Sequence, residues 1–198
     1  MSEFSEVLKQ RRSVNKLRKS NEFNQDEFVT RIKEAVYHAP SAFNAQSASV
    51  MVLFNEAHDA LWDEILNKII VYVEKEKQHL TKAKIQAFKD GDGTILFLED
   101  VKVSEQLKEK FPLYQDNVSL WADQGQGFVQ YGVWLTLTDM DLHASLQHYN
   151  PLIDDFIYEH YNLDRKYKII AQMPFGKANQ KIKDIDKKDI NARVLKKI

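Results

Sequence analysis

The sequence contains no cysteine among its 198 residues. Disulfide bonds, thiol nucleophiles, cysteine-ligated zinc and iron–sulfur clusters are therefore excluded, and the composition fits a reducing compartment. No apolar run approaches the roughly 18 residues of a membrane span, and the segment from Met1 to Arg12 lacks the apolar core of a signal peptide. We therefore expect a cytoplasmic protein that has no membrane partner.

An excess of charge of either sign is also absent. Lysine and arginine number 28 and aspartate and glutamate 29, which gives a formal net charge of −1. A nucleic-acid partner is not expected, although a local basic cluster can still bind a phosphate. Only 4 prolines and 6 glycines occur, and no internal repeat or linker interrupts the chain. At this length we predict one domain over residues 1–198.

Motifs typical of hydrolases and metal enzymes are missing. The histidines show no His-x-x-x-His or His-Glu-x-x-His spacing, so we predict no metal site. The sequence has neither a Gly-x-Ser-x-Gly elbow nor a Gly-x-x-x-x-Gly-Lys-Ser/Thr phosphate loop. Gly125-Gln126-Gly127 lacks the third glycine of a dinucleotide fingerprint. The adjacent carboxylates Asp154 and Asp155 are typical of solvated charges at the start of a helix.

Hydrophobic periodicity predicts an α+β fold with one central sheet, in which helices separate a few buried strands. Asn24 followed by Glu27 is typical of a helix start, and Pro40 ends that helix. The predicted strands are Ser49–Phe54, Thr94–Glu99, His143–Tyr149 and Tyr167–Met173, the last ended by Pro174. The other predicted helices are Ser2–Gln10, a long pattern over His58–Lys89, Val103–Lys110, Asn117–Met140 and Pro151–Tyr161.

The helix predicted over Asn117–Met140 has apolar residues around much of its circumference, which is typical of a central helix buried on several sides. Gly125, Gly127 and Gly132 inside it cost about 1 kcal/mol each relative to alanine. Close approach of another helix, within the subunit or across a dimer interface, offsets such a cost. The charged tail from Lys177 to Ile198 cannot form a core, so it is either disordered or laid against a partner subunit.

Three polar clusters are candidates for a binding site. Arg11–Ser13 offers guanidinium groups and a hydroxyl that suit a phosphate, although basic residues are also common at helix ends. The loop Pro40–Gln46 offers a hydroxyl and two amides to a flat ligand with polar edges, although serine and asparagine are ordinary loop residues. The segment Ala144–Pro151 is unusually polar for a strand end. These groups suit a cofactor that performs the chemistry itself, and they favour a flavin site over a hydrolytic one.

In this order, the three clusters resemble the FMN-dependent nitroreductase family. The family pattern begins with a helix ending in Arg-Arg-Ser, here Arg11–Ser13, and continues with a Pro-Ser-Ala/Ser-x-Asn-x-Gln loop, here Pro40–Gln46. Gln147–Asn150 and Met173–Gly176 are most similar to a short branch that includes the fungal fatty-acid-repression proteins and a copper-induced lactococcal nitroreductase. The resemblance extends from Glu6 to Arg193.

The resemblance implies an α+β homodimer with a mostly antiparallel sheet flanked by helices, a tail on the partner subunit, and FMN at the subunit interface. Arg11, Arg12 and Ser13 would lie near the FMN phosphate and the pyrimidine side of the ring. The backbone N–H groups of Gln147 and His148 would face flavin N5 and O4. The other implied contacts are Asn15, Gly176, Lys177 and Arg193, together with Ser41, Asn44 and Gln46, which would reach the flavin from the partner subunit.

Two positions depart from the family pattern. Asn15 stands where relatives often have a basic residue. Met140–His143 replaces a Leu-Gly-Leu-Gly segment ahead of the third strand, so we expect the floor of the pocket to differ. The pattern does not identify the lysine that would face flavin N1/O2, for which Lys82 and Lys84 are candidates.

The resemblance also implies a ping-pong mechanism, in which NADH or NADPH reduces the flavin and a nitroaromatic, quinone or similar small electrophilic acceptor then takes the electrons. The protein would supply electrostatic stabilisation rather than acid–base catalysis, which agrees with the lack of a persuasive acid–base pair. Two alternatives remain open. One is a flavin-binding regulatory protein of low turnover that senses redox or lipid state. The other is a helical interaction protein built on the charged stretch Glu74–Lys84, which is also typical of a solvated helix face.

Overall fold

The computed structural model of the protein describes residues 3–197. A five-stranded sheet lies at its centre. The strands are β1 (Leu17–Arg18), β2 (Ala48–Phe54), β3 (Gly93–Asp100), β4 (His143–Ala144) and β5 (Tyr167–Ala178). Their order is β1-β5-β3-β2, and β4 pairs with β5 outside this path. All pairings between these strands are antiparallel. The predicted α+β class with a mostly antiparallel sheet is therefore confirmed.

Helices flank the sheet, and Asn24 begins one of them as predicted, because its side chain accepts from the backbone N–H groups of Asp26 and Glu27. The first predicted helix is present from Glu3 onward, and Ser2 lies outside the described residues. The described α-helices are α1 (Glu3–Gln10), α2 (Gln25–Tyr37), α3 (Asn55–Ile70), α4 (Gln78–Lys89), α5 (Val101–Lys110), α6 (Val118–Asp139) and α7 (Asp154–His160).

Two apolar cores lie on the two faces of the sheet, and β3 contributes to both. Ile95 and Phe97 pack in the core formed with α2 and α6, whereas Leu96 and Leu98 pack in the core formed with α3, α4 and α7. This alternation follows from the two-residue period of a strand. Because both faces of β3 are covered, its sequence is a continuous apolar run, and this is why the strand was predictable.

The prediction of one long helix over His58–Lys89 is wrong, because the segment forms two helices. The first, α3, ends at Ile70, and the second, α4, begins at Gln78. The Gln78 amide donates at 3.3 Å to the backbone oxygen of Ile70, the last residue of α3, and at 3.3 Å to that of Val73 in the connection. Both helices pack on the same core, which explains why the apolar periodicity continues across the break.

The prediction that Pro174 ends the last strand is also wrong, since β5 continues to Ala178. The backbone oxygen of Phe175 accepts from the N–H of Asp92 at 2.8 Å, on the β3 side. The backbone of Pro174 therefore faces β4, and its missing N–H removes no bond to β3. Ser145 would be the next partner of β5 after Ala144, so Pro174 also explains why β4 stops at Ala144 rather than reaching the predicted Tyr149.

Helix α6 is less buried than its composition predicts. Leu120, Phe128 and Tyr131 are 54%, 53% and 47% exposed in the single chain. Gly125 and Gly132 face Ser41 and Ala35, but no atom lies within 4 Å of a Cβ built on Gly127. The tail from Asn179 to Lys197 is exposed throughout and has a short 3₁₀ turn at Ile190–Ala192. Within residues 3–197, none of the helices has the length and apolar character needed to cross a membrane.

A chain of hydrogen bonds is buried in the second core. The Trp62 indole N–H donates to Thr94 Oγ1 at 2.9 Å, and Thr94 Oγ1 lies 2.8 Å from His58 Nδ1. His58 Nε2 lies 3.0 Å from the backbone oxygen of Lys89, which can only accept. Nε2 therefore bears the proton and Nδ1 accepts from the Thr94 hydroxyl. The network requires a neutral imidazole, and burial lowers the pKa of His58 below 6.5.

We expect the free energy of unfolding to fall as the pH is lowered. Below pH 6.5 the unfolded chain protonates His58 more readily than the native protein, whose His58 has the lower pKa. The stabilisation is complete above pH 6.5 and is lost as the pH falls from there toward the native pKa. Burial lowers the pKa of His143 as well, with the same sign. Urea unfolding of wild type, His58→Gln and His143→Gln across this range measures each contribution. If the free energy of unfolding of both variants depends on pH as steeply as that of the wild type, neither histidine makes the expected contribution.

Candidate functional site

A basic cavity of about 460 Å³ lies where the end of α1 meets the start of the tail. The Arg12 guanidinium donates to the backbone oxygens of Lys9 and Arg11, which holds the side chain against the last turn of α1. The cavity suits an anion such as a phosphate, because it gathers four cationic side chains and no acidic residue lines it. Its lining residues are Arg12, Ser13, Lys16, Gln180, Lys181, Ile182, Lys183 and Ile185.

The segment after β4 lies beside the end of α1, because Val14 N–H donates to the backbone oxygen of Ala144 at 2.9 Å. The backbone N–H of Gln147, which the resemblance directs at the flavin, donates to the backbone oxygen of Gln172 at 2.7 Å. The N–H of Tyr149 is also taken, by Gln172 Oε1 at 2.8 Å. Between them, the backbone N–H of His148 has no acceptor among the described residues. It is the available donor of the predicted pair.

Gly176 and Lys177 lie within β5, not after it as predicted, and the structure gives both a structural role. A Cβ on Gly176 would lie 2.8 Å from the backbone oxygen of Arg18 and 3.2 Å from the N of Asp92, so only glycine fits this crossing. Lys177 Nζ donates to the carboxylate of Asp141 at 2.6 Å and to its backbone oxygen at 2.9 Å.

The other basic candidates are dispersed. The Arg11 guanidinium stacks over Trp134 of α6 at 4.7 Å from the ring centroid. Asn15 is exposed beside Lys16, and Arg193 is exposed in the tail, where its N–H donates to the backbone oxygen of Ile190 at 2.9 Å. No described contact brings Arg193 to the basic cavity. The exposed Lys84 has its Nζ 5.7 Å from the ring centroid of Phe88, and Phe88 belongs to the core on the other face of the sheet from α6.

The loop Pro40–Gln46 holds its polar residues in a tight turn. Ser41 Oγ accepts from the N–H of Gln46 at 3.0 Å, and the Gln46 amide donates weakly to the Asn44 backbone oxygen at 3.4 Å. Phe43, Asn44 and Gln46 have φ values of 53°, 54° and 53°. Residues other than glycine seldom adopt this left-handed backbone conformation. Such strained residues concentrate at functional sites.

A groove of about 650 Å³ opens beside this loop, and sequence reasoning did not predict it. The last turn of α2 forms one wall, including Tyr37 and His38, and β2 forms another, including Ala48 and Val50. Ser41 and Gln46 reach its rim, and Gly125 and Val129 of α6 close it. The groove depends on α2, β2, α6 and the loop Pro40–Gln46, which are separate in sequence, so no local pattern could have indicated it.

Two of the predicted polar clusters, the loop Pro40–Gln46 and Arg11–Ser13, contact α6 at different points along the helix. Ser41 faces Gly125, and Arg11 stacks on Trp134, nine residues further along the helix. At 1.5 Å per residue these points are about 13 Å apart along the helix axis. Within one chain the loop Pro40–Gln46 and the basic cavity are therefore two separate sites.

The polar groups named in the sequence resemblance thus lie at separate places in one chain, among them the basic cavity after α1 and the loop Pro40–Gln46. A model of the nitroreductase family matches residues 8–177. The chain belongs to the nitroreductase family. The HBN1 protein of Saccharomyces cerevisiae is 30% identical to it over 145 residues, which cover 73% of this chain and 71% of the relative.

Solved nitroreductases share the fold. CinD of Lactococcus lactis in complex with nicotinic acid has a TM-score of 0.89 and 36% identity, covering 98% of this chain and 100% of that one. CinD has also been solved with chloramphenicol and with 4-nitrophenol. A nitroreductase with bound FMN from Desulfitobacterium hafniense has a TM-score of 0.70 at 18% identity, covering 100% and 99% of the two chains, and shows the fold alone. The suspected branch of the family is thus confirmed.

Three lysines that line the basic cavity were not among the site residues predicted from the sequence. Lys16, Lys181 and Lys183 join Arg12 in the cavity although the tail is far away along the chain. The only local signal was the density of lysine in the tail, which equally indicates a solvated segment.

Proposed function

We propose that the protein is an FMN-dependent oxidoreductase that takes a hydride from NADH or NADPH and reduces nitroaromatics, quinones or similar small electrophiles. Bound FMN would supply the redox chemistry, by accepting electrons from the nicotinamide and passing them to the acceptor in a ping-pong cycle. The proposal places this activity in one domain, over residues 1–198, in the cytoplasm. Family membership and the FMN in a solved structure of the same fold support it.

The basic cavity is the observation on which the proposal depends. Arg12, Lys16, Lys181 and Lys183 present positive charge without an acidic neighbour in the lining, which fits the phosphate of FMN. Arg12 is already held by two backbone carbonyls, so its remaining N–H groups are oriented before a ligand binds. Ser13 adds a hydroxyl at the rim.

The His148 N–H is the second group that fits this cofactor. A backbone donor held between two bonded neighbours offers a fixed hydrogen bond to a ring nitrogen or carbonyl such as N5 or O4. Arg11, which follows α1, adds a positive charge that is held against Trp134 of α6. Lys177 is neutralised by Asp141, so we do not assign it the charge opposite N1/O2.

A homodimer completes the proposed site. Leu120, Phe128 and Tyr131 share one exposed face of α6. Phe128 follows Leu120 by about two turns of helix, and Tyr131 follows Leu120 by about three. An exposed apolar stripe of this kind favours a second copy of the chain. A two-fold axis across α6 would bring the Ser41, Asn44 and Gln46 loop of one subunit to the basic cavity of the other. The exposed apolar residues of the tail, such as Val194 and Leu195, would then lie against the partner subunit.

In this dimer the residues of the chain bind and orient rather than transfer protons. The cavity cations hold the phosphate, the His148 N–H orients the ring, and the apolar helix face excludes water from the interface. The three compounds solved in complex with CinD, nicotinic acid, chloramphenicol and 4-nitrophenol, each contain an aromatic ring. These complexes support small aromatic molecules as donors and acceptors.

Removing one cavity cation should weaken FMN binding. We expect Arg12→Ala to raise the dissociation constant of FMN about 30-fold, because one hydrogen bond to a charged group contributes about 2 kcal/mol. Fluorescence titration of the apoprotein with FMN measures this dissociation constant. Arg18→Ala is the matched control, because Arg18 is a nearby exposed arginine outside the cavity lining. Equal affinities for wild type and Arg12→Ala would reject the phosphate site.

Anaerobic mixing of the holoprotein with NADH or NADPH separates the enzyme from the regulatory alternative. We expect the yellow oxidised form to bleach with at least one nicotinamide and to recover on addition of a nitroaromatic. A yellow protein that neither nicotinamide bleaches would instead support a flavin-binding regulator of low turnover.

A further inference from the structure

One side of the basic cavity is held firmly by hydrogen bonds. The Arg12 guanidinium is bonded to two backbone oxygens of α1 and its end, and the N–H of Lys16 donates to Gln180 Oε1 at 3.1 Å. The backbone oxygen of Lys16 accepts from the N–H of Asn179 at 2.8 Å, which continues the pairing of β1 with β5 by one residue. The tail is therefore anchored as far as Gln180.

The other side of the cavity is formed by residues 181–188, and we call this segment the strap. No hydrogen bond or ion pair holds the strap to any part of the chain that the structure describes, and all of its residues are exposed. Its first half nevertheless lines the cavity through Lys181, Ile182, Lys183 and Ile185. Because a segment without such bonds opens at little cost in free energy, the strap can move while the Arg12 side stays in place.

The charges on the two sides of the cavity oppose its closure when no anion is bound. Lys181 and Lys183 of the strap line the same cavity as Arg12 and Lys16, and no acidic side chain in the lining offsets their mutual repulsion. Asp184 of the strap lines an adjoining cavity of about 430 Å³ instead. A phosphate group carries about two negative charges at neutral pH and attracts the cations of both sides, so it reverses the sign of the interaction.

We propose that the strap closes over the basic cavity when a phosphate group enters it and opens when the cavity is empty. The inference deepens the proposed function and rests on its phosphate site, because FMN would supply the phosphate. Closure brings Lys181 and Lys183 to the anion and shields it from water. A ligand that carries a phosphate then leaves only after the strap has opened, so the strap controls how long the ligand is retained.

Limited proteolysis of the apoprotein tests this proposal, with inorganic phosphate as the probe. An aspartate-specific endoproteinase cuts before Asp184 and Asp186 in the strap. At about ten times its dissociation constant, phosphate should slow these cuts about tenfold, because cleavage follows the population of the open form. Chloride at the same ionic strength controls for screening. The exposed Asp116, which lies outside the cavity lining, is the internal reference, and the cut before it should keep its rate.

Two double variants separate the cavity lysines from the general charge of the strap. Lys181→Gln with Lys183→Gln should abolish the protection by phosphate. Lys187→Gln with Lys188→Gln removes the same charge from strap residues outside the lining and should leave the protection intact. Each variant is compared with itself with and without phosphate, so any change in protease preference cancels. Strap cuts that ignore phosphate in the wild type, or full protection in the Lys181 and Lys183 variant, would overturn the inference.

Riboflavin, which lacks the phosphate of FMN, separates the inference from the proposed function. FMN should slow the strap cuts as inorganic phosphate does, whereas riboflavin should not. If FMN binds and is reduced by a nicotinamide but leaves the strap cuts as fast as before, the inference alone is rejected. If phosphate closes the strap but the protein binds no FMN, the proposed function is rejected and the phosphate-dependent closure is supported.

Discussion

Replacing Gly176 by alanine is expected to lower the free energy of unfolding by about 3 kcal/mol. The added Cβ would lie 2.8 Å from the Arg18 backbone oxygen, 3.1 Å from the Gly91 Cα and 3.2 Å from the Asp92 N. All three are backbone atoms of packed segments, so none can move without displacing β1 or the turn before β3. Urea denaturation at constant m-value measures the loss.

Gly127→Ala is the matched control for this substitution, because nothing lies within 4 Å of a Cβ at that position. In a helix, alanine is favoured over glycine by about 1 kcal/mol, so this variant should be at least as stable as the wild type. A Gly176→Ala protein of normal stability that has lost only FMN would show that Gly176 contacts the cofactor, as the family resemblance implies, and would contradict the structural role.

Replacing Thr94 by valine is expected to lower the free energy of unfolding by about 2 to 6 kcal/mol, because it leaves two buried groups without a partner. Valine matches threonine in shape but removes the hydroxyl that accepts from Trp62 Nε1 and donates to His58 Nδ1. Each unsatisfied buried group costs about 1 to 3 kcal/mol. Thermal and urea unfolding of the variant measure the sum.

Thr94→Ser keeps the hydroxyl and loses one methyl group, so we expect a cost of only about 1 kcal/mol. Valine and serine variants of equal stability would mean that packing, not hydrogen bonding, is what Thr94 contributes. The valine variant also tests the pH dependence, because an imidazole with no donor at Nδ1 is easier to protonate in the native state. Its pH slope should therefore be shallower than that of the wild type.

The parts of the fold that were predictable are those in which one chain segment decides its own structure. The continuous apolar run of β3 and the Asn24 cap of α2 are of this kind. Pro174 was misjudged because the effect of a missing N–H depends on which neighbour the residue faces, and that is a property of the pairing. The break between α3 and α4 was missed because both helices pack on one core, so the periodicity does not change.

The sequence predicted which polar clusters are candidates for the site, but it did not predict which residues and hydrogen bonds complete them. Arg12 and Ser13 do lie at a basic cavity, yet the lysines of the tail that complete it are distant in sequence. The resemblance directed the Gln147 N–H at the flavin, and its hydrogen bond to the Gln172 carbonyl was not predictable because the two residues are distant in sequence. Phe43 of the loop Pro40–Gln46 contacts Phe111 and Trp121, and no spacing rule relates these positions.

Gln172 has a consequence beyond the core in which it is buried. Its backbone oxygen and N–H bind Gln147, its side chain accepts from Tyr149, and its amide reaches Asn150 Oδ1 at 3.4 Å. The loop that presents the His148 N–H has therefore lost its conformational freedom at folding, not at binding. A ligand bound to the His148 N–H, as proposed for FMN, would therefore lose little free energy to ordering this loop, and its affinity would depend on its fit to a rigid backbone.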